Sequence, residues 1–171
     1  MQYKKIPVLI CGLALSMLAS CGGGENSAPS ASATPSASPA PSETPVAACI
    51  EITSIAGKSE SDVAAVLGEP SMSEPSSFAD GAISNTYTDG TEVLFADGLA
   101  VRITVYPPDG SPMEDGAALL GLSTEQSGTP SYDGAGDYRW NDNTEYYSID
   151  AFNNGDNTIS YIYVITDEAY K

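Results

Sequence analysis

Histidine is absent from this sequence of 171 residues, and basic residues are scarce. Without histidine the chain lacks the usual general base, a common metal ligand and the triads built on an imidazole. Six Lys and Arg stand against 23 Asp and Glu, which gives a formal net charge of −17 at pH 7. Because an acidic chain repels phosphate backbones, we expect no nucleic-acid partner. These shortages favour a non-enzymatic module over an enzyme.

The sequence also shows no pattern typical of a metal site or of paired catalytic carboxylates. Residues 141–145 and 153–157 are rich in Asn and Asp, but neither stretch has the spacing of a calcium-binding loop. Turns stabilised by Asn and Asp side chains explain both stretches more simply. We therefore predict no metal, no cofactor and no catalytic residue.

The apolar run over residues 6–18 is too short to span a bilayer core of about 30 Å. Lys4 and Lys5 precede the run, and small residues follow it. A basic start, a short apolar stretch and small residues at the end are typical of a secretory signal peptide. We predict a signal peptide over residues 1–20.

The run ends in Leu18-Ala19-Ser20-Cys21, which resembles the lipobox of bacterial lipoproteins. The resemblance implies transfer of a diacylglyceryl group to the Cys21 sulfur, cleavage before Cys21 and acylation of the new amino terminus. Two or three acyl chains hold a protein stably on a membrane. We expect an extracytoplasmic protein anchored to the plasma membrane, or to the outer membrane where the host has one.

Residues 22–48 consist mainly of Gly, Ala, Ser, Pro and Thr and cannot bury enough apolar surface to fold. We predict a disordered tether with a reach of about 30 Å as a coil and about 80 Å when fully extended. Cys11 leaves with the signal peptide and Cys21 carries lipid, so Cys49 is the remaining thiol. We expect the Cys49 side chain either to be inert and half-buried or to pair with a cysteine of another molecule.

Residues 49–171 form the predicted folded domain, and two parts of it resemble each other. The motif G-x-P-S occurs at 68–71 and again at 128–131, and an aromatic-x-D-[GN]-T-E motif follows at 87–92 and 140–145. We predict an α+β fold of two tandem repeats, roughly 49–108 and 109–171. Each repeat would have a short helix and a three- to four-stranded antiparallel meander, and together they would form one sheet with the helices on one face.

Local signals place the individual elements. Ser59 is a good helix N-cap, Asp62 can reach back to the first free N–H, and Gly68 ends the helix. A weaker helix is predicted over 113–122. The Asp-Gly turns at 89–90 and 97–98 predict hairpins. The predicted strands are 83–88, 91–96, 99–106, 137–141, 144–152 and 158–165.

Residues 57–70, GKSESDVAAVLGEP, resemble the G-x-[ST]-x-x-[DE]-V-x-x-x-L-G-x-P signature of SmpA/OmlA-type envelope lipoproteins. They are also similar to the repeats of the β-lactamase inhibitory proteins. The resemblance implies a helix followed by a meander, carried in tandem in the inhibitors, and a structural role in envelope assembly as one alternative. The inhibitors usually have a disulfide in each repeat, which this chain cannot form. Inhibition of β-lactamase is not implied.

Aromatic and basic side chains are predicted to share the solvent-facing side of the sheet. If the two halves correspond, 101, 103 and 105 align with 160, 162 and 164, and the apolar residues common to both halves, 103, 105, 162 and 164, face the helices. The alternate set then faces solvent. Tyr, Trp and Arg are frequent anchors of interfaces, so we expect a protein or peptide partner; a glycan or small molecule, or plain core packing of these rings, are the alternatives. The predicted binding residues are Tyr87, Arg102, Tyr106, Trp140, Tyr146, Tyr161 and Tyr163.

Overall fold

The structure, a computed structural model, describes residues 45–142 and 144–171. The predicted signal peptide, Cys21 and most of the predicted tether lie outside these residues. Within the described ranges, no helix is both long enough and apolar enough to cross a membrane.

A single antiparallel sheet of eight strands dominates the domain, with the strand order β1-β2-β3-β4-β8-β7-β6-β5. Strands β4 and β8 are therefore neighbours at the centre, and β1 and β5 are the two edges. The strands are β1 (Met72–Pro75), β2 (Ile83–Thr86), β3 (Glu92–Ala96), β4 (Leu99–Val105), β5 (Tyr132–Asp133), β6 (Asp137–Trp140), β7 (Ser148–Asn153) and β8 (Ile159–Ile165).

Helices are short in the described part of the chain. They are α1 (Glu60–Leu67), α2 (Gly116–Leu119) and α3 (Thr124–Ser127), with 3₁₀ turns at Ile52–Ser54, Met113–Asp115 and Glu168–Tyr170. The predicted α+β fold of two helix-plus-meander repeats is therefore wrong. The protein is β-rich, with one eight-stranded antiparallel sheet and only short helices in its described part, and not two helix-plus-meander repeats.

The second predicted helix, over 113–122, is broken into a 3₁₀ turn and the four-residue α2. Gly121 accounts for the end of the segment, and Gly116 accounts for its close packing. A Cβ on Gly116 would lie 2.9 Å from Cη2 of Trp140, so this segment packs directly against the indole. Gly121 has a φ of +77°, which ends the helical path. The apolar residues of the segment are still buried, but a single long helix does not form.

Helix α1 begins and ends where the sequence predicts. The Ser59 side chain caps it by accepting a hydrogen bond from the backbone N–H of Asp62 at 3.3 Å. The Asp62 carboxylate accepts from the Ser59 hydroxyl at 2.6 Å instead of reaching a backbone N–H. Gly68, with a φ of +85°, follows the last helical residue, and Val63 is fully buried against the sheet.

The main core lies between one face of the sheet and a second layer. That layer consists of the short helices and of residues 49–55, where the chain enters the domain. Ile52 and Ile55 of that segment are fully buried. The backbone N–H groups of Cys49 and Ile50 donate to the Leu119 carbonyl at 2.9 and 3.3 Å. The N–H of Ile52 donates to the Leu120 carbonyl at 3.0 Å. We call residues 49–55 the entry segment.

Each central strand contains one extra residue, and this shifts the alternation of its side chains. On β4, Phe95 pairs with Ala100 while Leu94 pairs with Arg102, so Val101 is the extra residue. Val101 therefore packs with Leu94 on the side opposite the main core. Four predicted core positions follow the extra residues of β4 and β8 and are confirmed as buried: Ile103, Val105, Ile162 and Val164.

Candidate binding face

The face of the sheet opposite the main core carries a row of polar and aromatic residues. Thr104, Tyr163, Asp150 and Arg139 are successive cross-strand partners on β4, β8, β7 and β6. We call this side the open face. Its position follows from the strand pairing, because cross-strand partners point to the same side of a sheet.

Four rings form an aromatic cluster on the open face: Tyr106, Phe152, Tyr161 and Tyr163. Phe152 and Tyr161 are stacked, with ring centroids 4.8 Å apart. Tyr163 contacts both rings, at 4.9 and 5.3 Å, and Tyr106 lies 6.3 Å from Tyr161. These separations lie in the range of favourable ring pairs, so the four side chains support one another. Tyr106 is 48% exposed and the other three rings are partly exposed.

Two phenols of the aromatic cluster, those of Tyr106 and Tyr161, have raised pKa values that favour their neutral form. Partial burial raises the pKa of Tyr161, with Tyr163 adding to the effect and Arg102 opposing it. Burial also raises the pKa of Tyr106, and its neighbour Glu92 adds to the shift. Neutral hydroxyl groups can both donate and accept hydrogen bonds, so the cluster offers polar contacts as well as apolar area.

Arg102 lies beside the aromatic cluster, as predicted for a residue of the open face. The centre of its guanidinium group is 4.1 Å from the Tyr163 ring centroid and 4.7 Å from that of Phe78. Both distances allow cation–π attraction. Phe78 comes from the loop between β1 and β2, is 49% exposed, and was not among the predicted residues.

Three predicted binding residues lie in the main core instead of on the open face: Tyr87, Trp140 and Tyr146, which are 2%, 1% and 8% exposed. Their placement on the solvent-facing side is therefore wrong. Trp140 pairs with Ile149, which pairs with the core residue Val164, so the pairing turns the indole inward. Tyr87 follows β2 two residues after the fully buried Asn85, and Tyr146 lies in the loop before β7.

Burial has a marked effect on the phenol of Tyr146. Burial raises the pKa of Tyr146 to about 12, and the Glu145 carboxylate adds to the shift. Tyr146 lines a groove of about 250 Å³ on the core side of the domain, together with Leu122 and Gln126. This groove is separate from the open face.

A groove of about 400 Å³, lined by both polar and apolar side chains, adjoins the aromatic cluster on the open face. Its floor is Asp150, whose side chain is 5% exposed and is bonded by Arg139 Nε and by Ser148 Oγ, the latter at 2.7 Å. The hydrogen bond to Asp150 raises the pKa of Arg139. Lys171 lies at the rim, 2.9 Å from Glu168. The residues lining the groove are Arg139, Asn141, Tyr147, Ser148, Asp150, Phe152, Tyr163, Ile165 and Lys171.

A second groove, of about 420 Å³, lies on the other side of Arg102. Phe78 and Arg102 line it together with the carboxylates Glu74 and Glu92. Three of the four basic residues in 45–171, namely Arg102, Arg139 and Lys171, therefore line the grooves of one face. Acidic residues accompany each of them: Glu74 and Glu92 line the groove of Arg102, and Arg139 and Lys171 are ion-paired.

Cys49 is the one cysteine in the described part of the chain, and it is surface-exposed. Its thiol lies 3.0 Å from the Leu119 carbonyl oxygen, and partial burial raises the pKa of this thiol. A raised pKa lowers the fraction of reactive thiolate at neutral pH. Its lack of reactivity stays a prediction.

No protein-family model matches the chain, and no curated protein matches it. Among solved structures it is similar to an extracellular protein containing a SCP domain from Bacillus anthracis str. Ames, with a TM-score of 0.48 and 16% sequence identity. The match covers 74% of this chain and 49% of that one, so this chain spans about half the length of the other. A likeness at this TM-score carries no argument about fold or function.

Proposed function

We propose that the protein is an extracytoplasmic lipoprotein, anchored through Cys21, whose folded domain binds a protein or peptide through the open face. The observation that carries the binding proposal is the aromatic cluster beside Arg102. The sequence from Leu18 to Cys21 supports the anchor, and the Pro-rich residues that follow support a tether between anchor and domain.

The aromatic cluster has the chemistry of an interface centre. Tyr and Arg are enriched among residues that dominate binding energy, because they combine large apolar area with directed polar groups. Tyr161 and Tyr163 project from the central strand β8, which is hydrogen-bonded on both sides. A rigid strand holds the rings in place before binding, so little ordering cost is added when a partner docks.

The lipid anchor is tested by expressing the full chain in a bacterium that processes lipoproteins. Mass spectrometry of the mature amino-terminal peptide should find lipid on Cys21, and the protein should partition with membranes. The Cys21→Ser variant should remain unlipidated and leave the membrane fraction. Unchanged partitioning of Cys21→Ser would contradict the anchor.

The binding proposal is tested by capture from an envelope extract of the organism that carries the gene. Full-length protein in mild detergent should retain a partner at a stoichiometric ratio. Replacing Tyr161 and Tyr163 together by Ala should abolish retention, while Val66→Ala, at a 51% exposed position on α1, should not. Retention by the tyrosine double variant, or no retained partner, would count against the open face.

A glycan-binding module is the second candidate, and the groove over Asp150 favours it. The groove places the fixed polar groups of Arg139 and Asp150 beside the rings of Tyr163 and Phe152, an arrangement suited to a ligand with both hydroxyl groups and apolar faces. Calorimetric titration with soluble cell-wall glycan fragments tests it. Binding that is lost in Tyr147→Ala would favour this candidate over the protein partner. No heat of binding would remove it.

A further inference from the structure

Arg102 is the basic residue of the open face that lacks an ion pair. Arg139 pairs with Asp150 and Asp137, and Lys171 pairs with Glu168. The sequence has 23 acidic residues, yet none of those in 45–142 or 144–171 lies within ion-pair distance of Arg102. The guanidinium group of Arg102 therefore has no carboxylate partner among the described residues.

The neighbours of Arg102 hold its guanidinium group without using its hydrogen-bond donors. Tyr163 and Phe78 contact the group at 4.1 and 4.7 Å through their rings. No described residue accepts a side-chain hydrogen bond from Arg102, and the planar group has five N–H donors in a fixed fork. That fork matches the two oxygens of a carboxylate, and pairing of this kind is strong and directional.

The surroundings of Arg102 select among anions. Glu74 and Glu92 line the same groove and repel any anion, and they repel a doubly charged group such as a phosphate more strongly than a single carboxylate. On the other side, the aromatic cluster presents apolar area next to the guanidinium group. A ligand that fits both features carries one negative charge beside an aromatic or aliphatic group.

We propose that Arg102 binds the carboxylate of an Asp or Glu side chain in a partner peptide segment, next to an aromatic or aliphatic side chain that packs on the aromatic cluster. This inference rests on the proposed function, because it gives the chemistry of the partner for the same face. A peptide supplies both groups on neighbouring residues.

The test uses an array of random 12-residue peptides probed with the full-length protein in mild detergent. Bound peptides should be enriched in Asp or Glu adjacent to aromatic or aliphatic residues. For the bound peptides, Arg102→Gln should weaken affinity about 10- to 100-fold, the loss expected for a charge-assisted bidentate pair. Lys171→Gln removes another cation from the same face and should change affinity less than about twofold, because Lys171 is an exposed, paired residue.

Two further variants keep the test independent of folding. Arg102→Lys retains the charge but loses the planar fork, so its affinity should lie between those of the wild type and Arg102→Gln. Arg102→Glu should reverse the preference and select peptides with Lys or Arg. Circular dichroism spectra that match the wild type confirm that each variant is folded.

The outcomes separate this inference from the proposed function. If the bound peptides show no acidic enrichment, or if Arg102→Gln binds them as well as the wild type, the inference is wrong. In that case loss of binding in the Tyr161 and Tyr163 double variant would leave the proposed function standing. Binding to a glycan array with no peptide bound would overturn both.

Discussion

Replacing Arg139 should destabilise the protein more than replacing Asp150, its partner in an ion pair. The Asp150 side chain is 5% exposed, whereas that of Arg139 is 45% exposed. Replacing Arg139 by Met leaves a buried carboxylate whose remaining partner is the Ser148 hydroxyl, 2.7 Å away. Replacing Asp150 by Asn leaves a half-solvated guanidinium group that still has Asp137 at 3.8 Å.

The expected magnitudes follow from these exposures. Removing one partner of a fully buried pair costs about 3–5 kcal/mol, and here solvent at Arg139 and the bond from Ser148 reduce the cost of Arg139→Met to about 2 kcal/mol. Asp150→Asn should cost about 1 kcal/mol, because the amide oxygen can still accept from Ser148. The double variant has no buried charge and should cost about 1.5 kcal/mol, so the coupling is also about 1.5 kcal/mol.

The free energies of unfolding are measured in urea with the fluorescence of Trp140, the single tryptophan of the chain. The matched control is Lys171→Met, which breaks an exposed ion pair with side chains 59% and 66% exposed and should cost less than about 0.5 kcal/mol. Additive costs for the two single variants, or a cost for Arg139→Met no greater than the control, would refute the argument from burial.

Three further predictions concern the core. Trp140, which is 1% exposed, should resist acrylamide quenching in the native protein and become quenchable in urea; equal quenching in both states would contradict its burial. Because the folded state raises the pKa of Tyr146 from 10.0 to about 12, stability should be fully present below pH 10 and fall as pH rises to about 12. Tyr146→Phe should lose less stability over that interval, and a phenolate titration with no group near pH 12 would exclude the shift. Gly116→Ala should destabilise the domain by about 1–2 kcal/mol, measured in urea, because its Cβ would meet Trp140 at 2.9 Å. The control Gly136→Ala has open space around it and should change stability by no more than about 0.5 kcal/mol. Equal stabilities of these two variants would show that the indole can move aside.

Local signals were sufficient for the elements whose structure depends on nearby residues. Ser59 and Gly68 mark the two ends of α1, because capping needs only the residues around a helix terminus. The turn at Asp97 and Gly98 joins β3 to β4, and both residues have the positive φ that such a two-residue hairpin requires. The capping box of α3, in which Gln126 contacts Ser123, was missed although its S-x-x-Q spacing is present in the sequence.

Features that depend on pairing between distant strands were not predictable in this way. The extra residue Val101 shifts the alternation along β4, and nothing in the sequence around it marks the shift. The inward position of Trp140 is set by β7 and β8, which come later in the chain. Edge strand β1 is exposed along its whole length, so it lacks the apolar alternation by which strands are recognised.

The same contrast applies to the candidate site. Arg102, Tyr106, Tyr161 and Tyr163 were placed on the correct face, because they follow the extra residue of β4 or β8 and the alternation beyond it is regular. Phe152 completes the aromatic cluster and could have been found from its position on the strand two residues after Asp150. Phe78 comes from an irregular loop, and its approach to Arg102 has no local sequence signal.

The entry segment has a mechanical consequence. A pull on the chain from its amino-terminal side reaches the folded part at Cys49, where three backbone hydrogen bonds join residues 49–52 to Leu119 and Leu120. The fully buried Ile52 and Ile55 must also leave the core before the load reaches the sheet. The entry segment must therefore detach from the domain before the force reaches the sheet. Forces too weak to detach it leave the geometry of the open face unchanged.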